Sequence, residues 1–150
     1  MGELIREVFD KENPGADGRN FIPLSSNAKH YIHHDKMDAG KLFLYGLIVD
    51  YYNVDKGVAW PSLERLAVDY GKTSKTTGNH LKDLREVGLI LIVGRGQYVP
   101  LEPLGEDEFY RAYPKAWENY TKALETSEKR READLIRLQE YEASKRHTRN

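Results

Sequence analysis

The sequence predicts a mainly α-helical chain with one small β-hairpin and a long helix at its end. Three observations predict it. Apolar residues from Leu42 to Tyr52 fall nearly all round one helical stretch, the mark of a central, buried helix. Between Ser62 and Gly88, two shorter patterns of helical spacing flank a glycine, and an apolar, partly β-branched run follows. From Phe109 onward, Phe109, Tyr113, Trp117, Tyr120 and Leu124 recur at spacings of four, four, three and four before a largely charged tract.

Each element has its own signals. Leu4, Ile5, Val8 and Phe9 make one apolar face of a short N-terminal helix. Asn13-Pro14-Gly15 and Asp17-Gly18 are turn and linker signals, so residues 1–20 read as an arm. Phe21-Ile22-Pro23-Leu24 reads as a short extended piece, kept on a sheet edge by Pro23. Residues 25–37 are expected to form a short helix. Asp38 is the N-cap of the central helix, which runs to about residue 53 and carries Phe43, Leu44, Tyr45, Leu47, Ile48, Val49 and Tyr51. Residues 53–57 read as a turn.

Ser62 caps the next helix, with Glu64 well placed in its first turn. Leu63, Leu66 and Ala67 are its inner face, Tyr70 lies near its end, and Gly71 permits the left-handed residue that stops it. Thr73 caps the following helix. Thr77, Leu81 and Leu84 are its inner face, and Gly88 ends it. Residues 89–93 read as a buried strand, Gly94-Arg95-Gly96-Gln97 as a basic tip, and residues 98–101 as a return strand closed by Pro103. Pro114 is comfortable at a helix start. A helix from there to about residue 145 would be roughly 48 Å long. Its middle, residues 125–134, is mostly charged, with Glu125 and Lys129 as a favourable pair; Leu135, Ile136, Leu138 and Tyr141 then restore apolar character. The chain therefore divides into an arm (1–20), a central domain (21–104) and a C-terminal helical extension (105–150).

Composition narrows the function classes. The chain has 150 residues, 23 basic and 24 acidic side chains and a formal charge of −1. A chain this long buries roughly 70% of its unfolded surface, so it needs no staple. It has no cysteine, which excludes disulfides and thiolate metal sites and fits a cytoplasmic protein. No signal peptide is expected in residues 1–10, and no segment approaches the ~20 apolar residues of a membrane span. The near-neutral total weighs mildly against nucleic acid, but a sequence reader needs a local basic patch rather than a basic total.

Such a patch lies on the second short helix. No acidic residue occurs between Asp69 and Asp83, while Lys72, Lys75 and Lys82 do. Lys75 and Asn79 share a face; asparagine pairs bidentately with adenine and lysine donates to guanine. Lys72 and Lys82 add to the basic DNA-binding face, and Ser74 and Thr76 suit phosphates or a thymine methyl. Ser62 and Thr73, at the two helix starts, offer hydroxyl and backbone donors. Arg95, with Gln97 beside it, would reach the flanking backbone or minor groove. Gly78 costs helix stability, roughly 1 kcal/mol against alanine; it is either a close approach to a groove wall or a tolerated defect. The plain alternative for the whole patch is a solvated polar face. Its place on the second helix of a helix-turn-helix pair favours double-stranded DNA.

Three stretches read together: Lys41-Leu42-Phe43-Leu44-Tyr45-Gly46-Leu47-Ile48-Val49-Asp50-Tyr51-Tyr52-Asn53, then Trp60-Pro61-Ser62 with Leu66-Ala67, then the run from Thr73 to Gly88-Leu89-Ile90. On these, residues 21–103 resemble the winged helix-turn-helix domains of bacterial plasmid and phage replication initiators and related small DNA-binding regulators. The resemblance implies sequence-specific binding to double-stranded DNA, in replication initiation or transcriptional regulation. Thr77 stands where that pattern has an apolar residue, and Ser74 where it has an arginine, which lowers the expected phosphate affinity.

Other chemistry finds less support. Gly71-Lys72-Thr73 echoes a phosphate-binding loop, but the glycine required five residues earlier is Leu66. His30, His33, His34 and Asp35 have metal-ligand spacing but no second ligand group, so they read as a surface feature and no metal or cofactor is expected. His80 reads as cover for the hydrophobic layer rather than a DNA contact. No nucleophile with an activating base stands out, so no enzymatic activity is expected. The stripe of Phe109, Tyr113, Trp117, Tyr120 and Leu124 is read as the link from the long helix to the body or to a second copy. The charged middle of that helix is expected to prevent a continuous coiled-coil seam. A free-standing long helix is costly, so a homodimer through the aromatic end, or a replication or regulatory protein partner, is expected. The competing function is a protein-docking module built on the same domain and helix.

Overall fold

The computed structural model describes residues 6, 8–12 and 22–148. A 3-10 helix, Ser26–His33, precedes three helices, α1 (Ala39–Tyr51), α2 (Leu63–Tyr70) and α3 (Ser74–Glu86). A hairpin of β1 (Ile90–Gly94) and β2 (Gln97–Pro100) follows, then α4 (Glu106–Ala112) and α5 (Pro114–Thr148). This is a winged helix-turn-helix with a long C-terminal helix, the architecture the sequence predicts.

Helix α1 is the axis of the core. The Asp38 carboxylate accepts the Lys41 backbone N–H at 2.8 Å and opens the helix. Leu44, Tyr45, Gly46, Leu47 and Ile48 are buried, whereas Phe43 is half exposed, so burial is not quite all round. Around α1 pack Leu66 of α2, Leu84 of α3 and the Leu89-Ile90 entry to the hairpin. The Tyr45 phenol donates to the Leu101 carbonyl at 2.6 Å. Burial first, then the nearby Glu102 and Tyr31, pushes its pKa up to about 12, so it stays a neutral donor.

The hairpin departs from the expected buried strand. Leu91 stands opposite Val99 and Ile92 opposite Tyr98, with an irregularity before Gly94. Ile90 is buried and Ile92 half-buried, but Leu91 and Val93 are half exposed. Only one face of this small antiparallel sheet is covered, and a short apolar run does not reveal that in sequence. Ala59 joins the other side of the hairpin through two backbone bonds with Tyr98, each 2.8 Å, giving a one-residue third strand.

The short helix expected in residues 25–37 forms over Ser26–His33 and is of 3-10 type. One other expectation changes. Pro23 lies in irregular chain, not on a sheet edge: the sheet among the described residues contains β1 and β2, and Ile22 instead packs over Gly46 of α1. The signals at Leu4, Ile5, residues 13–18 and Phe21 lie outside the described residues; Val8 and Phe9 are exposed in irregular chain.

The C-terminal extension folds back on the 3-10 helix through paired rings. Tyr31 meets Phe109 at 4.3 Å between centroids, His34 meets Tyr113 at 4.6 Å, His33 meets Tyr120 at 5.0 Å and His30 meets Tyr110 at 5.7 Å. The Asn119 amide donates to the His33 carbonyl and to Asp35 Oδ1, both at 2.8 Å. The histidines are therefore the floor of an internal interface, not the surface feature expected of them. Phe109 is fully buried there and so closed to any partner, and Tyr113 and Tyr120 are half-buried against the chain's own body. Trp117 and Leu124 are half exposed. Between residues 122 and 146 every side chain but Ala133 is exposed.

Candidate nucleic-acid interface

The candidate surface is built by α2, a three-residue turn and α3. The Ser62 hydroxyl oxygen accepts the Arg65 N–H at 3.0 Å, and Thr73 Oγ1 accepts the Thr76 N–H at 3.1 Å, so both helices start on side-chain caps. Both end alike. Gly71 and Gly88 adopt φ of +72° and +80°. The residue after each reaches back to close the last turn: Lys72 N–H to the Ala67 carbonyl at 3.1 Å, and Leu89 N–H to the Leu84 carbonyl at 3.0 Å. These are Schellman closures, and they demand a left-handed residue. The first sets the sharp turn between the helices. The second delivers the chain into the wing.

The inner faces hold α3 in place. Leu66, Ala67 and Tyr70 are the buried residues of α2, and Thr77, Leu81 and Leu84 those of α3. The Tyr70 hydroxyl lies 2.8 Å from His80 Nδ1, and their rings meet edge to face. His80 therefore braces the two helices. Burial raises the Tyr70 pKa, with the Asp38 charge adding to it.

On the outer face, Lys72, Lys75, Asn79 and Lys82 are exposed, and Ser74, Thr76 and Gly78 are half exposed between them. Ser74, Gly78 and Lys82 form one row at spacings of four; Lys75 and Asn79 form the next. Ser62 and Thr73 are exposed at the helix starts. Arg95 stands exposed at the hairpin tip. Gln97 is exposed but curls over the hairpin, its Oε1 2.8 Å from where a Cβ on Gly94 would stand. A thirteen-residue helix is about 20 Å long, a length suited to a major groove.

The acids that bracket this face are tied up by other elements. Asp69 accepts the Tyr51 hydroxyl at 2.5 Å and lies 3.5 Å from Arg65 Nε. Asp83 pairs with Lys41 Nζ at 3.1 Å, and Glu86 bonds Lys36. The Glu86 bond holds the Lys36 ammonium above its ordinary range. Nothing in the sequence assigns Lys36, Lys41 or Tyr51 to this site, because contacts this far apart along the chain carry no local signal. The α3 lysines thus face solvent with the flanking carboxylates neutralised from behind.

Among the described residues, no group of three or more histidine, aspartate or glutamate side chains is placed to hold a metal ion. No helix among them is long and apolar enough to cross a membrane.

Residues 39–90 match the model of a family described as "Helix-turn-helix domain". The match spans α1, α2, α3 and the first residue of β1, about a third of the chain. No curated protein matches the chain. One solved structure similar to it is described as "Structure of TrmBL2, an archaeal chromatin protein, shows a novel mode of DNA binding". The identity is 18% and the TM-score 0.39; the alignment covers 76% of this chain and 42% of that one.

Proposed function

We propose that the chain is a non-catalytic, sequence-specific double-stranded DNA-binding protein of the cytoplasm, acting as a homodimer in plasmid or phage replication initiation or in transcriptional regulation. The carrying observation is the exposed Lys75–Asn79–Lys82 face of α3, whose neighbouring acids are bonded away by Lys36, Lys41, Tyr51 and Arg65. In this reading Lys75 and Asn79 meet base edges. Lys72, Lys82 and Arg95 meet phosphates, as do the hydroxyls of Ser62, Thr73, Ser74 and Thr76. Gln97 accompanies Arg95 at the flank, and Gly78 lets the helix sit close to the groove wall. The resemblance to replication initiators supports the biological setting.

The test is selection of bound duplexes from a random pool, followed by a salt titration on the selected site. A two-fold motif is expected, with a log–log salt slope of roughly −3 per protomer from three cation–phosphate contacts. If Lys75→Ala with Asn79→Ala leaves duplex affinity and site preference unchanged, the assignment of α3 fails. A second reading, a protein-docking module, is favoured by the half-exposed Leu91 and Val93 and by the outer part of α5. It predicts no salt-sensitive duplex binding at all.

A further inference from the structure

The outer part of α5 leaves the body as a single helix, about 40 Å long from residue 122 onward. The stripe that packs on the body through Tyr120 continues outward as Leu124, Ser127, Arg131, Asp134, Leu138 and Tyr141, at alternating spacings of four and three. Those are the spacings of a coiled-coil seam. Leu124, Leu138 and Tyr141 are each about half exposed or more (44%, 53% and 63%), and Leu135 flanks them at 52%.

We infer that this stripe is an interaction surface for a second copy of the same chain, paired antiparallel. The argument is the order of residues along it. Reversed against itself, the stripe sets Leu124 opposite the partner's Tyr141, Ser127 opposite the partner's Leu138, and Arg131 opposite the partner's Asp134. The two-fold axis repeats each layer. Every layer then joins an apolar group to an apolar or small one, or a cation to an anion. In a parallel pair, Arg131 would stack on the partner's Arg131 and Asp134 on the partner's Asp134. Charge complementarity selects the antiparallel arrangement, and opposed helix dipoles agree with it. Asp134 pairs with Arg137 of its own helix, 3.5 Å away on an exposed face, a contact that a partner's arginine readily replaces. A central ionic layer fixes register and orientation rather than adding much stability. This surface starts at Leu124, beyond the rings of Phe109, Tyr113 and Tyr120 that pack on the body. It gives the proposed homodimer a contact that needs no DNA, so its failure would leave the α3 assignment standing.

The full chain, without DNA, is measured by sedimentation equilibrium. The wild type is expected to be a dimer. Arg131→Asp alone and Asp134→Arg alone each weaken dimerisation roughly tenfold or more by opposing like charges. The double swap Arg131→Asp with Asp134→Arg restores it to within about threefold. These positions are exposed, so the body should fold in every variant, and the double swap controls for it. The chain has no cysteine, so cross-linking adds a second measurement. Ser127→Cys and Leu138→Cys should form a covalent dimer when mixed, and neither alone. A monomer at every concentration, a double swap that stays as weak as the singles, or either cysteine variant cross-linking to itself as readily as the mixture would overturn the proposal.

Discussion

The hydroxyl of Thr77, fully buried in α3, donates to the carbonyl of Thr73 at 2.8 Å. That carbonyl also accepts the Thr77 backbone N–H at 2.9 Å, so it keeps a partner even without the hydroxyl. A buried hydroxyl costs little when it is bonded. This is how a polar residue sits where the resembled pattern has an apolar one. Thr77→Val keeps the shape and removes a donor whose acceptor stays satisfied. It should change the unfolding free energy by less than about 1 kcal/mol. Thr77→Ser keeps the hydroxyl but deletes a buried methyl, and should cost about 1 kcal/mol. Urea denaturation of both variants decides whether the methyl or the hydroxyl matters at this position.

Gly78 separates stability from binding. Among the described residues, nothing outside the adjoining backbone of its own helix and its chain neighbours lies within 4 Å of a Cβ built there, so alanine meets open space. In a helix interior that exchange should stabilise the chain by roughly 1 kcal/mol. If the glycine exists for close approach to a groove wall, duplex affinity falls while the melting temperature rises. If it is a tolerated defect, stability rises and affinity holds. Thermal unfolding and duplex titration of Gly78→Ala distinguish the two.

How far the sequence reveals this molecule follows from the range of each cause. The caps at Asp38, Ser62 and Thr73 and the left-handed stops at Gly71 and Gly88 are set within a few residues, and all appear as read. The type of the helix at Ser26–His33, the exposed side of β1 and the Ala59–Tyr98 bridge depend on what packs nearby, and a local reading does not reach them. The candidate site shows the same split. The basic face of α3 is legible in its own residues. The neutralising contacts of Lys36 with Glu86 and Lys41 with Asp83 are not, because surface pairs that distant leave no periodicity behind. The aromatic stripe was legible as a stripe, but only packing shows that Phe109, Tyr113 and Tyr120 meet the chain's own body while the outer helix stays uncovered.

The histidine floor makes stability depend on pH. His33 and His34 are held below the ordinary imidazole range, mainly by burial. His30 adds to the shift at His33; at His34 the Asp35 charge opposes it and Lys36 adds to it. His34 Nδ1 also accepts the Lys36 backbone N–H at 3.0 Å, which requires an unprotonated nitrogen. The unfolded chain therefore binds protons on these rings more readily than the folded one, and stability rises with pH. The contribution is complete above the unfolded value of about 6.5 and is lost as pH falls through the lowered native values. The unfolding midpoint should be lower at about pH 5.5 than at about pH 7.5, and His33→Gln with His34→Gln should flatten the difference. An unchanged pH profile in that double variant would assign the dependence to other groups.

The junction between body and long helix yields the last test. Tyr113, at the break between α4 and α5, donates its hydroxyl at 3.1 Å to the carbonyl of Val87, the residue that closes α3. Asn119, one turn into α5, holds the end of the 3-10 helix. These bonds fix the direction of α5 relative to the helix assigned to the groove. Tyr113→Phe removes one hydrogen bond and should cost about 1 kcal/mol of stability; Asn119→Ala removes two and should cost about 1–2 kcal/mol. Neither residue lies on the outer face of α3, so binding to a single half-site should stay within about twofold of wild type. If α5 joins two copies, the looser junction should instead accept a wider range of spacings between half-sites, since a rigid dimer ties that distance to its own geometry. Duplexes with half-sites set at stepped separations provide the measurement. Equal spacing preference in the variants and the wild type would mean that α5 does not set the distance between the two reading helices.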